Sequence, residues 1–195
     1  EREEDIIANT LAVPLQPVRT FNKNGVEWQN KLIFGDNLQA MKTLLDMKRR
    51  GELCNIDGTS GVRLVYIDPP FATKQDFSGS DGEKAYQDRV KGAQFLEFIR
   101  RRLLLLRELL CEGGIIYVHL DQNMAFYIKV IMDEVFGQAN FRSWITRKKC
   151  NPKNSTRRAY GNVSDYLLFY TKSDRYVWNR PMQTWTDAAA EKEYQ

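Results

Sequence analysis

Val62-Arg63-Leu64-Val65-Tyr66-Ile67 runs directly into Asp68-Pro69-Pro70-Phe71. The first six residues are β-branched, aromatic or long apolar types around a single arginine, a composition that suits a strand. The two prolines end it, because proline cannot donate to a sheet ladder and clashes inside a helix. The stretch therefore reads as a strand closing at Ile67, with an acidic residue and a stiffened turn at its carboxyl end.

Upstream, Leu32-Ile33-Phe34 is a short apolar run ending in Gly35-Asp36-Asn37, which predicts a strand, a turn and a helix N-cap. Leu38, Met41, Leu44, Leu45 and Met47 then recur near the helical period, so a helix is expected from Leu38 to about Arg49. Residues 1–30 read as an irregular arm. Downstream, residues 72–92 are polar and glycine-rich, a long loop of the kind used as a lid or binding loop. Gln94 to Leu110 reads as a helix with Phe95, Phe98, Ile99, Leu103, Leu106 and Leu110 on one side, closed by Gly113. Ile115–Leu120 hardly alternates, as a strand buried on both faces does, and Asp121 follows it. Gln122–Phe136 is a helix ended by Gly137, and Ser143–Arg147 and Tyr166–Thr171 are two further strands.

Strands alternating with helices predict an α/β fold, a mostly parallel sheet with helices on both faces. Ligands of such folds gather at the carboxyl ends of strands. Asp36, Asp68 and Asp121 are all expected at such ends. Asp121 reads equally well as a helix cap, and His119 as a satisfied core histidine.

The 195 residues suit one globular domain. No apolar run approaches the roughly 18 residues of a membrane span. Three scattered cysteines and one histidine make a structural metal site an unpromising reading, so no metal is expected and a cytoplasmic setting with reduced thiols fits. The net charge of +4 is too small to argue for nucleic acid, but Arg147-Lys148-Lys149 is a local basic run between two strands. It is either a solvated loop or a set of phosphate contacts.

The corner after Ile67 carries the most specific chemistry. Asp68 offers a carboxylate, Pro69 a carbonyl without a competing N–H, and Phe71 a flat apolar face. An amino group on a nucleobase is a poor nucleophile because its lone pair is delocalised into the ring. Two acceptors on its two N–H bonds favour a localised lone pair, and preorganised acceptors of this kind act where charge develops. The Phe71 ring could stack on the base, a contact worth about 1–3 kcal/mol. A base inside a duplex cannot enter such a corner, so flipping is implied.

These residues resemble the amino-methyltransferases of DNA, whose signature is (D/N/S)-P-P-(Y/F). The resemblance extends in order to Ile33-Phe34-Gly35-Asp36-Asn37-Leu38, to the strand from Glu112 to Asp121, to Phe136-Gly137-Gln138-Ala139-Asn140-Phe141, and to Ser164–Lys172. The order is similar to that of the beta group, which includes the modification subunits of type III restriction systems, and covers roughly residues 31–180. It implies a Rossmann-like fold that binds S-adenosyl-L-methionine and methylates double-stranded DNA. By the resemblance, Asp68, Pro69 and Phe71 are catalytic and Pro70 shapes the loop. Asp36 meets the cofactor's adenine, Tyr166 flanks the flipped base, and Arg147, Lys148 and Lys149 meet DNA phosphates. A restriction subunit or a second copy is the implied partner.

The family's glycine-rich F-x-G-x-G cofactor loop is not in this sequence. The fold is therefore expected to be incomplete. The expected division is an arm over residues 1–30, a catalytic part over 31–180, and a truncated connection over 181–195 towards a missing target-recognition and cofactor-loop region. Such a fragment alone is expected to bind cofactor weakly and to be inactive. Asp at the first motif position favours adenine N6, with cytosine N4 as the alternative. RNA or protein targets usually go with an Asn-first turn, and a non-catalytic DNA-binding fragment is the alternative from another class.

Overall fold

In a computed structural model, residues 1–21, 30–69, 93–149 and 160–182 are described. The chain runs α1 (Glu3–Asn9), α2 (Asn37–Arg49), β1 (Val62–Ile67), α3 (Ala93–Leu109), β2 (Leu110–Leu120), α4 (Ala125–Phe136), β3 (Phe141–Lys148) and β4 (Ser164–Thr171). The strands form one sheet in the order β1-β2-β4-β3.

The α/β class holds, and the sheet differs from expectation in two respects. It is mixed: β1 and β2 are parallel, whereas β2–β4 and β3–β4 are antiparallel. Parallel neighbours need a long crossover, and α3 lies between β1 and β2 in sequence. The stretch between β3 and β4 has no helical apolar period, and strands joined that way pair antiparallel. The second difference concerns the layers. Val65, Ile116, Val118, Leu120, Leu168 and Tyr170 share one sheet face, and Ile6, Met41, Leu103 and Ile128 from the four helices join the same apolar cluster. Among the described residues, helices on both faces are not seen.

Helix α3 packs against α1, α2 and α4, which is why Leu103, Leu104 and Leu105 are all buried although they point in different directions. Burying each such side chain contributes about 1.5–3 kcal/mol. The opposite sheet face is more open: Leu64 and Tyr66 are 55% and 54% exposed. On that face Tyr117 stacks on Phe169 with ring centroids 4.6 Å apart, and Trp178 stacks on Phe169 at 6.1 Å.

Four local expectations change. Residues 1–30 are not wholly irregular, because Glu3–Asn9 is helical with Ile6 fully buried. Acidic residues in its first turn complement the helix dipole. Leu32-Ile33-Phe34 is not a strand; Leu32 and Phe34 are fully exposed, no described strand pairs with them, and three residues cannot sustain a ladder alone. Asp36 therefore stands at a helix start and not at a strand end. Gly113 does not cap α3; helix passes directly into strand at Leu110. A Cβ on Gly113 would lie 2.6 Å from the Arg175 carbonyl oxygen, so glycine serves a close backbone approach. The β1–β2 register slips here, from Val62 opposite Leu110 to Leu64 opposite Ile115. Helix α4 begins at Ala125, later than Gln122, and ends as expected at Gly137, whose φ is 86°.

Candidate active site

Side chains alternate along a strand, and paired residues on neighbouring strands share a face. Tyr66 pairs with Tyr117, and Tyr117 with Phe169. These mark the open face. One step further along β1 and β2, the same parity brings Asp68 and His119 to that face at the rim of the sheet. His119 pairs with Leu167 on β4, and Arg147 on β3 pairs with Asp165. The rim thus gathers side chains from all four strands.

The Asp68 side chain is 54% exposed, and Pro69 behind it is buried. Oδ2 of Asp68 lies 3.4 Å from Nδ1 of His119. On the other side of the ring, Nε2 of His119 lies 3.7 Å from Oδ2 of Asp165. Asp165 is buried, and two cations meet its carboxylate. Lys149 Nζ donates to Oδ1 at 2.9 Å, and Arg147 Nη1 lies 3.5 Å from Oδ2. Burial pushes the phenol of Tyr117 up, in keeping with its place beneath Phe169.

The expected site residues are distributed as follows. Asp68 and Pro69 stand together at the end of β1. Pro70 and Phe71 lie outside the described residues. Arg147 and Lys149 reach the same rim through Asp165, and Arg147 and Lys148 are the last residues of β3 and not of a loop. Tyr166 turns the other way. It pairs with the buried Leu120 and sits 5.4 Å from the Trp144 ring, on the helix-covered face. Asp36 is on a different element, where Oδ1 accepts the Leu38 N–H at 2.8 Å and caps α2. Its side chain is 55% exposed and lies 3.5 Å from Arg102, whose guanidinium covers the Phe98 ring at 3.3 Å. Ala93, Gln94, Glu97, Phe98, Arg101 and Arg102 line an open cleft of about 470 Å³ there. Asp121 braces the turn that leads into α4: its Oδ1 accepts from the N–H groups of Asn123 and Met124 at 3.0 and 3.1 Å.

His119 and Asp165 were not legible as site residues. His119 is buried, as a core histidine is, but its ring is aimed at two carboxylates. The signal that could have found it is its alternation with Tyr117 and Asp121 on a strand ending beside Asp68. Among the described residues, no His, Cys, Asp or Glu side chains cluster in a way that could hold a metal ion.

An exposed carboxylate on a proline-stiffened strand end, beside a basic rim, can accept hydrogen bonds from an amine. The sequence profile of the N6/N4 methyltransferase family, described as DNA methylase, matches residues 62–195, from the first residue of β1 onward. This chain is a member of the N6/N4 DNA methylase family. Type II methyltransferase M.EcaI of Enterobacter cloacae is 42% identical over 154 residues, which cover 79% of this chain and 32% of that protein. The type III restriction-modification enzyme EcoPI Mod subunit of Escherichia phage P1 is 29% identical over 176 residues, covering 78% of this chain and 25% of that protein. This DNA methylase chain thus spans about a third or less of the length of these curated relatives. Among solved structures, the M1.HpyAVI–SAM complex overlaps 73% of this chain and 55% of its own at 19% identity, with a TM-score of 0.43, a loose likeness on which nothing further rests. No helix among the described residues is long and apolar enough to cross a membrane.

Proposed function

We propose that the protein carrying this chain transfers a methyl group from S-adenosyl-L-methionine to an exocyclic amino nitrogen in double-stranded DNA, namely N6 of adenine. The observation that carries the reading is the Asp68 carboxylate, half exposed at the carboxyl end of β1 and backed by buried Pro69, in a chain of the DNA methylase family. The Asp68 carboxylate and the Pro69 carbonyl accept the two N–H bonds of the amine, which localises the nitrogen lone pair. As the nitrogen–carbon bond forms, the methyl carbon's bond to sulfur would break and its electron pair return to sulfur as a thioether; the nitrogen gains positive charge, and the Asp68 carboxylate faces that charge in a geometry set before the reaction. The nitrogen then sheds one proton, and Asp68 is the acceptor beside it. Much of the rate comes from holding the two reactants in line.

The cofactor supplies an electrophilic methyl group. Asp36 fits as its contact, because the outward part of its carboxylate is free of the helix cap and can accept from the adenine amino group. Pro70 shapes the turn, and Phe71 stacks on the extruded base. Arg147 and Lys149 contact the phosphates flanking it; Lys148, paired with Ser164, faces the other side of the sheet and is not assigned that contact. Tyr166 packs against Trp144 on the opposite face and is not assigned to the base. The fold is of the Rossmann-like methyltransferase kind, and 31–180 is its catalytic part. A restriction subunit or a second copy is the partner, by likeness to relatives named as modification subunits.

Adenine is favoured over cytosine by Asp at the first motif position. The test is nucleoside analysis of DNA methylated by the full-length protein. N6-methyladenine is the expected product. N4-methylcytosine would move the assignment within the family, and no methylated nucleoside with DNA binding intact would leave a binding module.

A further inference from the structure

We propose that His119 and Asp165 are positioning residues that fix the orientation of the Asp68 carboxylate; the inference rests on the methyl-transfer reading above. Three strands bring the three side chains together. Asp68 follows β1, His119 lies one residue before the end of β2, and Asp165 is the second residue of β4. Their order along the rim is Asp68, His119, Asp165, then Lys149 and Arg147, with each separation between 2.9 and 3.7 Å.

A half-exposed aspartate on a strand end is free to rotate about χ1 and χ2. A contact on Oδ2 removes that freedom and leaves Oδ1 turned outward for a substrate N–H. The Nδ1 atom of His119 is placed to make that contact at 3.4 Å. This is an approach within ion-pair distance and not a formed hydrogen bond, and catalytic contacts of this kind often tighten only when substrate binds. Asp165 flanks the imidazole from the far side, its Oδ2 3.7 Å from Nε2 and beyond hydrogen-bond distance, and limits how the ring can turn. A second carboxylate so close would ordinarily repel Asp68. Lys149 and Arg147 offset its charge, so Asp165 orients the ring without adding negative charge to the rim. A purely structural ion pair would need none of this alignment towards an exposed carboxylate.

Two variants separate positioning from folding. In His119→Asn the side-chain amide nitrogen takes the place of Nδ1 and can still donate to Asp68. In His119→Gln it reaches towards the Nε2 position, facing Asp165 instead. The measurement is kcat, KM for DNA and for cofactor, and Tm, on the full-length protein. The expected result is a kcat about tenfold or more higher for His119→Asn than for His119→Gln, with similar KM and Tm, as positioning effects are expressed in turnover. Equal kcat values, or a higher value for His119→Gln, overturn the inference. Asp68→Ala in the same assay keeps the two readings apart. If Asp68→Ala retains transfer, the methyl-transfer site itself is misassigned. If Asp68→Ala is inactive while both His119 variants turn over equally, only the positioning role fails.

Discussion

The carboxylate of Asp68 and the imidazole of His119 face each other across the parallel β1–β2 pair, Oδ2 to Nδ1 at 3.4 Å. Residues that act as a unit are not additive when removed. The double variant Asp68→Ala with His119→Gln should therefore be no slower than Asp68→Ala alone. A further drop in kcat of about tenfold in the double variant would mean that His119 acts independently of Asp68.

Asp165 is buried against Lys149 and Arg147, so its loss should be felt in stability as well. Asp165→Ala is expected to cost about 1.5–3 kcal/mol, the range for a hydrogen bond to a charged group. Both cations reach solvent, which keeps the cost below that of a fully buried pair. Chemical denaturation measures it. An unchanged midpoint would mean that the cluster does not hold the rim together.

Gly61 and Gly58 test the packing where α3 passes into β2. Both have positive φ, 109° and 81°. A Cβ on Gly61 would lie 2.5 Å from the backbone oxygen of Leu109, whereas one on Gly58 would meet nothing within 4 Å. Gly58→Ala should cost about 1–2 kcal/mol, the left-handed penalty alone. Gly61→Ala should cost clearly more, since backbone must move. Equal costs in thermal or chemical unfolding would contradict the close approach.

Tyr170 links the sheet core to α4, donating its hydroxyl to Oδ1 of Asp133 at 2.7 Å. Burial, and then the hydrogen bond and charge of Asp133, raise its phenol above the ordinary 10.0. A raised folded-state value favours the protonated form in the fold. Its contribution is complete below the unfolded value and lost as pH rises beyond it. The wild type should therefore lose stability relative to Tyr170→Phe as pH climbs past about 10. A difference that stays flat through that range would show the phenol to be freely ionisable.

Much of this fold could be read from the chain because the informative residues are local. Val62–Ile67 is a strand with the bounds expected, since prolines and glycine punctuate it. Gly137 ends α4 for the same kind of reason. What could not be read depends on contacts distant in sequence. The glycines after α3 looked like a helix stop, but Gly113 is small because Arg175 passes over it. Leu32–Phe34 has strand composition and no partner among the described strands. The site shows the same division. The place of Asp68 and Pro69 at the carboxyl end of β1 was legible from the prolines that stop the strand. The approach of Asp165 to His119, and the turning of Tyr166 to the far face, follow from the antiparallel register of β4, which no local pattern encodes.

Reception of the amine at the corner after β1 makes Asp68 the position to change. Asp68→Ala in the full-length protein should slow transfer of labelled methyl groups from S-adenosyl-L-methionine to DNA by about 10²–10³-fold, while the affinity for DNA stays close to that of the wild type. Undiminished methyl transfer by that variant would contradict the account.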